Sequence, residues 1–476
     1  MSSTNPTTGL KNAGTSTINI AKIVRVVPRL RNIEALLLIF VLALNAFELA
    51  QIQLSTLEKV TTDLFLYWTP LAAFAGGIHM ILRKYARDAD AMILPIAVAL
   101  NGLGLSEIYR LDIAQIAAGG TELFAAKQVV WTCIALAAAA AVIIYVPTHL
   151  FLRRYVYIAM IVGIALLLLP MLPIIGKTIN GARLWIGIFG FTFQPGELAK
   201  IALTVFFAGY LVTRRDSLAI VGNRFLGVQL PRARELGPIL AIWGASLLVL
   251  VVQRDLGTSL LYFGLFIVMI YVATGRAIYV IVGMTMFVTG ALVASRLMDY
   301  VQGRFNSWLN PFASEHYDAV GGSYQLVQGI FGMSHGGIFG TGLGGGVPQL
   351  VPLAESDFII ASLGEELGLA GLFAIFALYM LLVYRGVRIA FNHSDDFSRL
   401  LAVGLSFVIA LQTFIVVGGV TRVVPLTGLT TPLLAAGGSS LLANWVILGL
   451  LLRISDSSGS KNREQSGEIP TAVVSA

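Results

Sequence analysis

Twelve apolar runs divide this chain, near residues 34–54, 64–82, 91–109, 127–146, 155–173, 195–213, 237–253, 257–274, 277–296, 357–384, 400–420 and 431–453. Each is long enough to cross roughly 30 Å of hydrocarbon. Backbone inside lipid finds no water to bond, so a run of this length must close its own hydrogen bonds as a helix. The pattern therefore predicts an all-α polytopic membrane protein with about twelve transmembrane helices. Composition agrees: 12% of the 476 residues are charged, against about 25% in soluble domains. The single cysteine, Cys133, lies in an apolar stretch. That excludes an internal disulfide framework, and no Cys/His cluster has the spacing of a structural metal site.

Orientation follows from the cations. Arg83, Lys84 and Arg87; Arg153 and Arg154; Arg214, Arg215, Arg224, Arg232 and Arg234; Arg385, Arg388 and Arg399; and Arg453 all fall between spans on one side, and the other side is poor in Lys and Arg. Excess Lys and Arg mark the cytoplasmic side. Both termini are then cytoplasmic, and the net charge of +7 reflects topology rather than a nucleic-acid partner. Residues 1–33 read as a disordered cytoplasmic tail, 34–83 as two additional N-terminal spans, 91–453 as the core and 454–476 as a second cytoplasmic tail. No small-residue cleavage site follows a short apolar region, so the first span is expected to stay uncleaved. The long segment 297–356 falls outside. Its glycine-rich, apolar stretch "GIFGMSHGGIFGTGLGGG" suits short interfacial helices or a re-entrant element flooring a groove.

Several ionisable residues sit where charge is costly. Asp357 opens the span after the long loop. A carboxylate there is either a functional site in a polar cavity or the cap of the following helix. Glu197 and Lys200 lie three apart on a predicted helix and can pair, as a salt bridge between helices or as substrate contacts. Arg254 and Asp255 fall at an outer turn. Glu365 and Glu366, well inside an apolar span, require a cation, buried donors or protonation. Trp185 reads as an interfacial anchor on its own. His79, His149, His316, His335 and His393 lack ligand spacing for zinc. There is no P-loop, and "GTGLGGG" does not follow a strand, so nucleotide chemistry is not indicated.

Eight motifs in order carry a resemblance: "KQVVW" (127–131), "GARLWI" (181–186), "QPGELAK" (194–200), "QRDLGTS" (253–259), "YQLVQGIFGMSHGGIFGTGLG" (324–344), "SDFIIASLGEELG" (356–368), "PLTGL" (425–429) and "GGSSLLANW" (437–445). Together they resemble the SEDS family of bacterial membrane proteins, which includes RodA and FtsW. The two spans before residue 83 exceed that family's core of about ten and resemble the actinobacterial RodA branch. The chain departs from the family pattern at Gly196, Arg254 and Leu184, and in the residues Glu355 and Ser356 before Asp357.

The resemblance implies a peptidoglycan glycosyltransferase that polymerises lipid II, with inversion, at the outer face of the cytoplasmic membrane. It implies undecaprenyl-type diphosphate as leaving group and a class B penicillin-binding protein (a transpeptidase) as partner. Asp357 matches the family's catalytic carboxylate and Trp185 a residue needed for activity; Glu197, Lys200 and Asp255 match further pattern positions. Polymerisation needs a base for a sugar hydroxyl, and one carboxylate suffices because diphosphate leaves readily. Charge gathering on the diphosphate calls for cations. Lys200, Arg183 and Arg304 are the candidates, beside a divalent ion, Mg or Mn, bridging phosphates. Apolar walls around 190–210 are expected to hold the lipid tails. A lipid II flippase and a septal, FtsW-like role are the alternatives.

Overall fold

A computed structural model of the protein describes residues 30–121, 123–146, 148–179, 181–188, 191–219, 221–225, 228–231, 233–317 and 322–465. Most of the expected N-terminal tail, the end of the C-terminal one and Arg232 lie outside the described residues. A helix stands over each of the twelve apolar runs. The chain opens with a helical pair, α1 (Leu30–Leu57) and α2 (Asp63–Tyr85), followed by α3 (Ile93–Ala117), α4 (Phe124–Tyr145), a single turn α5 (Phe151–Arg154) and α6 (Val156–Leu168). A three-stranded antiparallel sheet follows, β1 (Gly176–Ile179), β2 (Ala182–Ile188) and β3 (Phe191–Phe193). Then come α7 (Gly196–Ala219), a hairpin of β4 (Val221–Phe225) and β5 (Val228–Pro231), α8 (Ala233–Val252), α9 (Leu256–Thr274) and α10 (Ala277–Leu297). The long segment after α10 holds α11 (Asp299–Leu309), α12 (Ser314–Tyr317) and α13 (Tyr324–Gly336); α14 (Ile359–Phe391), α15 (Asp396–Val420) and α16 (Gly438–Gln465) close the bundle.

Nine of these helices are long and apolar enough to cross a membrane, counted among the described residues. Helix α3 is the instructive exception. It carries Glu107, Arg110 and Asp112, each buried, which lowers its hydropathy while nearly all of its length up to Asp112 is enclosed by protein. A charge-bearing helix of this kind is stable only inside the bundle: Arg110 donates to Glu366 and Asp112 accepts the N–H groups of Phe124 and Ala125, while both Glu107 carboxylate oxygens are buried without a hydrogen bond. Close approaches hold it there. A Cβ on Gly104 would lie 2.1 Å from the Leu434 carbonyl oxygen, and one on Gly102 would strike the Asn45 side chain. Trp445 of α16 donates through Nε1 to Asn101 Oδ1 at 3.0 Å. The N-terminal pair packs on α3 and α4, and Gln53 of α1 donates to the Tyr109 hydroxyl at 3.1 Å.

The all-α class holds, with strands β1–β3 and β4–β5 as small additions to the helices. Three expectations need correction. Residues 431–437 are not helical. Helix α16 runs on to Gln465, so the segment from 454, expected as tail, begins as helix. The 357–384 span starts at Ile359, leaving Asp357 outside it, and is broken at Gly368, where φ is 67° and ψ −173°.

That break governs the end of the molecule that carries Asp357. A helix interrupted inside a bundle exposes unpaired N–H and C=O groups, and these are costly where water is scarce. The glycine loop 337–347 supplies the partners. Thr341 and Gly342 donate their N–H groups to the carbonyls of Glu365 and Glu366 at 3.0 and 2.9 Å, and Leu369 and Ala370 donate to Gly337 and Ile338 at 2.9 and 3.0 Å. The two backbones run so close that a Cβ on Gly368 would sit 2.3 Å from Gly340 N. A Gly368→Ala variant meets both that clash and a left-handed φ, each a cost of order 1–3 kcal/mol. Thermal unfolding in detergent is expected several degrees below wild type; an unchanged midpoint would contradict this role for the loop.

Candidate active site

The turn before α14 places Asp357. Its side chain is only 7% exposed, and Oδ1 is buried with no hydrogen-bond partner. The carboxylate does not cap the helix. Phe358 is the N-cap residue and no side chain serves there. Phe358 itself is fully buried and fits against α13 because residue 329 is glycine, where a Cβ would meet its ring at 2.7 Å. Burial pushes the Asp357 pKa up to about 6, with Glu355 adding to the rise; its own backbone amide, the Arg304 guanidinium and the Gln325 side chain oppose it. An acid poised there is half-ionised close to neutral pH, as a general base requires.

Arg304 comes from α11. Burial lowers its pKa and the Asp357 charge counters that. One donor, Nη1, is spent on the Leu426 carbonyl at 3.3 Å, leaving others of its five N–H groups for an anion. The non-helical stretch after α15 is the common seam of the site. Leu426 meets Arg304 there, Ala436 donates its N–H to the Glu355 carbonyl at 2.7 Å, and just beyond it, in the first turn of α16, Ser439 Oγ accepts the N–H of Gln194, just past β3, at 2.8 Å.

Glu197 and Lys200 form a second group, 2.5 Å apart at the start of α7. Lys200 is 1% exposed and also donates to Gln412 Oε1 at 2.9 Å, while Gln412 Nε2 donates to the Thr430 carbonyl at 2.9 Å. The ammonium thus points into protein, and as placed it offers nothing to a diphosphate. Of its two sequence readings, the salt bridge fits. Asp255 is the buried N-cap of α9, accepting the Thr258 N–H at 2.9 Å; burial raises its pKa and Glu197 contributes. Arg254 is exposed and lies over the Tyr300 ring, 5.7 Å from its centroid.

Arg183 and Trp185 form a third group, on β2. Residues two apart on a strand share a face, and Trp185 pairs with Lys177 across the sheet. Lys177, Arg183 and Trp185 therefore make one basic and aromatic face. Arg183 Nη2 donates to the Leu172 carbonyl at 3.2 Å. Among the described residues, neither Arg183 nor Trp185 bonds to Asp357. Lys177 escaped the sequence reading because its register against Trp185 depends on a turn at Gly181.

Arg110, Gln325 and Gln412 were also missed. Arg110 carried a usable signal, an arginine at the very end of an apolar run. Glu365 and Glu366, left open by sequence, prove to have donors. Val347 N–H and His335 Nδ1 meet Glu365 Oε1 at 3.0 and 3.1 Å, and Arg110 and Gly344 N–H meet Glu366 at 3.0 and 2.8 Å. The apolar wall expected near 190–210 is core: Ala199, Leu203, Phe206 and Phe207 are all buried. An apolar groove of about 510 Å³ lies elsewhere, between α14 and α15, lined by residues such as Phe376, Tyr379, Phe414 and Val417. Its lining holds no carboxylate to act as a base and no cation for a diphosphate.

With this geometry in place, comparison with known proteins is direct. Residues 91–460 match the cell cycle protein family of FtsW, RodA and SpoVE, and the chain belongs to that family. The peptidoglycan glycosyltransferase RodA of Mycobacterium tuberculosis is 45% identical over 430 residues, covering 90% of this chain and 91% of the relative. That of Mycobacterium leprae is 42% identical over 464 residues, covering 96% and 98%, a span that takes in α1 and α2. A solved peptidoglycan synthase complex, described as coordinating polymerization and crosslinking, contains a chain of the same fold. It aligns with TM-score 0.63 and 24% identity over 78% of this chain and 98% of that one.

The buried ion pair makes a prediction. Lys200→Met leaves Glu197 charged and unpartnered in the core, at a cost of about 3–5 kcal/mol. The double variant Glu197→Leu/Lys200→Met removes both charges and is expected to recover the thermal midpoint and glycan synthesis. A double variant that folds normally but stays inactive would return the pair to substrate handling.

Proposed function

We propose that the protein is a peptidoglycan glycosyltransferase that joins lipid II units into glycan strands on the extracytoplasmic side of the cell membrane, serving elongation and shape as a RodA-type enzyme. One observation carries the reading. Asp357, nine-tenths buried and with an unbonded carboxylate oxygen, stands beside a cation, Arg304, that has donors to spare. Its family and its RodA-named relatives support the same activity.

In the proposed reaction the carboxylate of Asp357 takes the proton of an acceptor 4-hydroxyl, contributing roughly 10²–10⁴-fold. The freed oxygen bonds to the anomeric carbon of the donor as the bond from that carbon to diphosphate breaks. The electron pair leaves with the polyprenyl diphosphate, the anomeric centre inverts, and Asp357 returns its proton to water. Negative charge grows on the diphosphate oxygens, which Arg304 on α11 and Arg183 on β2 are suited to receive. Trp185, on the face of Arg183, would stack on a sugar. Among the described residues no three His, Cys, Asp or Glu side chains converge. A Mg²⁺ or Mn²⁺ would thus be held chiefly by diphosphate oxygens, with Asp357 the protein ligand on offer, and would supply charge neutralisation.

A class B penicillin-binding protein is the partner this reading calls for, because strands made here must be crosslinked. A flippase would need polar groups along a path from the opposite end of the bundle. The charges there are tied to one another, Arg385 to Asp90 at 3.3 Å and Arg453 to Asp456 at 3.4 Å. The match to relatives through α1 and α2 favours the elongation role over the septal one.

Asp357→Asn is expected to abolish glycan polymer from lipid II on gels while leaving the thermal midpoint near wild type. Near-normal polymer from that variant would remove Asp357 from the mechanism. The rate of the wild-type chain should fall below pH about 6, as the base becomes protonated. Because the Arg304 charge favours the carboxylate, Arg304→Gln should move that acidic limb to higher pH. A limb that stays in place or moves down would separate Arg304 from Asp357.

A further inference from the structure

The break at Gly368 leaves residues 359–367 as a short helix of their own, and Asp357 lies just before it. The position of the carboxylate therefore depends on what holds this short element. Along its sides the restraints come from nearby chain: Phe358 against α13, and the glycine loop hydrogen-bonded to its last turn. A contact from the core helix α3 is made at its far end. Arg110 is 5% exposed and Glu366 is fully buried. The Arg110 Nε donates to Glu366 Oε1 at 3.0 Å and its Nη2 to the Gly346 carbonyl at 2.7 Å. The second oxygen of Glu366 accepts the Gly344 N–H at 2.8 Å. One planar guanidinium thus joins three pieces of chain: α3, the short helix and the glycine loop. A fork of fixed geometry can hold two acceptors at once, which a lysine cannot.

The loop has a second support. Ser55 at the end of α1 donates to the Leu343 carbonyl at 2.8 Å, so the N-terminal pair braces the loop from behind. That contact is exposed and water can replace it. The Arg110 contact is buried and has no such substitute.

We propose that Arg110, acting through Glu366, is a positioning residue for polymerisation: it fixes the short helix, and with it the Asp357 carboxylate, against α3. The proposal rests on Asp357 being the base. Arg110 touches no reacting atom, so its loss should misplace the base while leaving substrate contacts intact. A displacement of about 1 Å at a reacting group costs on the order of 10²-fold in rate.

The test uses the purified full-length chain with lipid II, measuring kcat, KM and thermal midpoint. Arg110→Met/Glu366→Gln removes both charges and keeps an acceptor for Gly344. It should fold with a midpoint within a few degrees of wild type, keep KM within about twofold, and lose kcat on the order of 10²-fold. Arg110→Lys, which keeps the charge on Glu366 but not the second bond, should lose less. A folded variant with wild-type kcat, or one changed only in KM, would overturn the proposal; so would failure of both variants to fold, which makes the contact a folding requirement alone. Asp357→Asn is run in parallel. Activity there defeats the assignment of the base, whereas an inactive Asp357→Asn beside a fully active double variant defeats the role of Arg110 only.

Discussion

A backbone that breaks inside a membrane bundle must have its exposed amides and carbonyls answered by other protein, and the end of this molecule that carries Asp357 is built around one such break. At Gly368 the helix stops being helical, and the loop 337–347 turns back to bond both sides of the gap. Only glycine permits the approach at positions 336, 340 and 368, where a Cβ would fall within 2.3 Å of a backbone atom. The glycine-rich character of this stretch is thus a packing requirement. It makes a short helix inside the bundle, and the acidic residue ahead of that helix is held at its mouth rather than within a continuous span.

The buried charges at the Asp357 end of the bundle divide by whether their donors and acceptors are already engaged. Lys200 and Glu197 are engaged with each other and with Gln412, and Glu366 with Arg110 and Gly344. Such groups fix helices against one another, and their value to the fold is that neither charge is left alone in a region of low dielectric. Asp357 and, on α3, Glu107 are the contrast, both buried with unanswered carboxylate oxygens; Asp357 also has within electrostatic reach an arginine, Arg304, with donors in reserve. A protein keeps a costly group like that where it does chemistry.

Much of this was legible in the sequence, for physical reasons. Span positions follow from the length of apolar runs, and Asp357 was conspicuous because a carboxylate at the edge of a span has few bland explanations. What stayed hidden depended on contacts distant in sequence. The sheet at 176–193 hangs on a turn at Gly181 and on register, not on a strong strand pattern. The non-helical stretch 431–437 looks as apolar as a span because it is packed against α3. The break at Gly368 is invisible until its loop is placed, since a glycine within an apolar run is common. Arg110 was passed over at the end of an apolar run, though its charge was a sign of a buried partner. Lys200 was weighed as a phosphate ligand because its neighbour Gln412 lies on another helix.

The account stands on the acceptor sugar meeting Asp357 directly. A cryo-electron microscopy structure of this chain bound to an unreactive lipid II analogue would measure that distance. The account predicts the acceptor 4-oxygen within hydrogen-bond reach, about 3 Å, of the Asp357 carboxylate, with the diphosphate towards Arg304. An acceptor hydroxyl well beyond reach of a bridging water, or a sugar seated at the opposite end of the bundle, would contradict it.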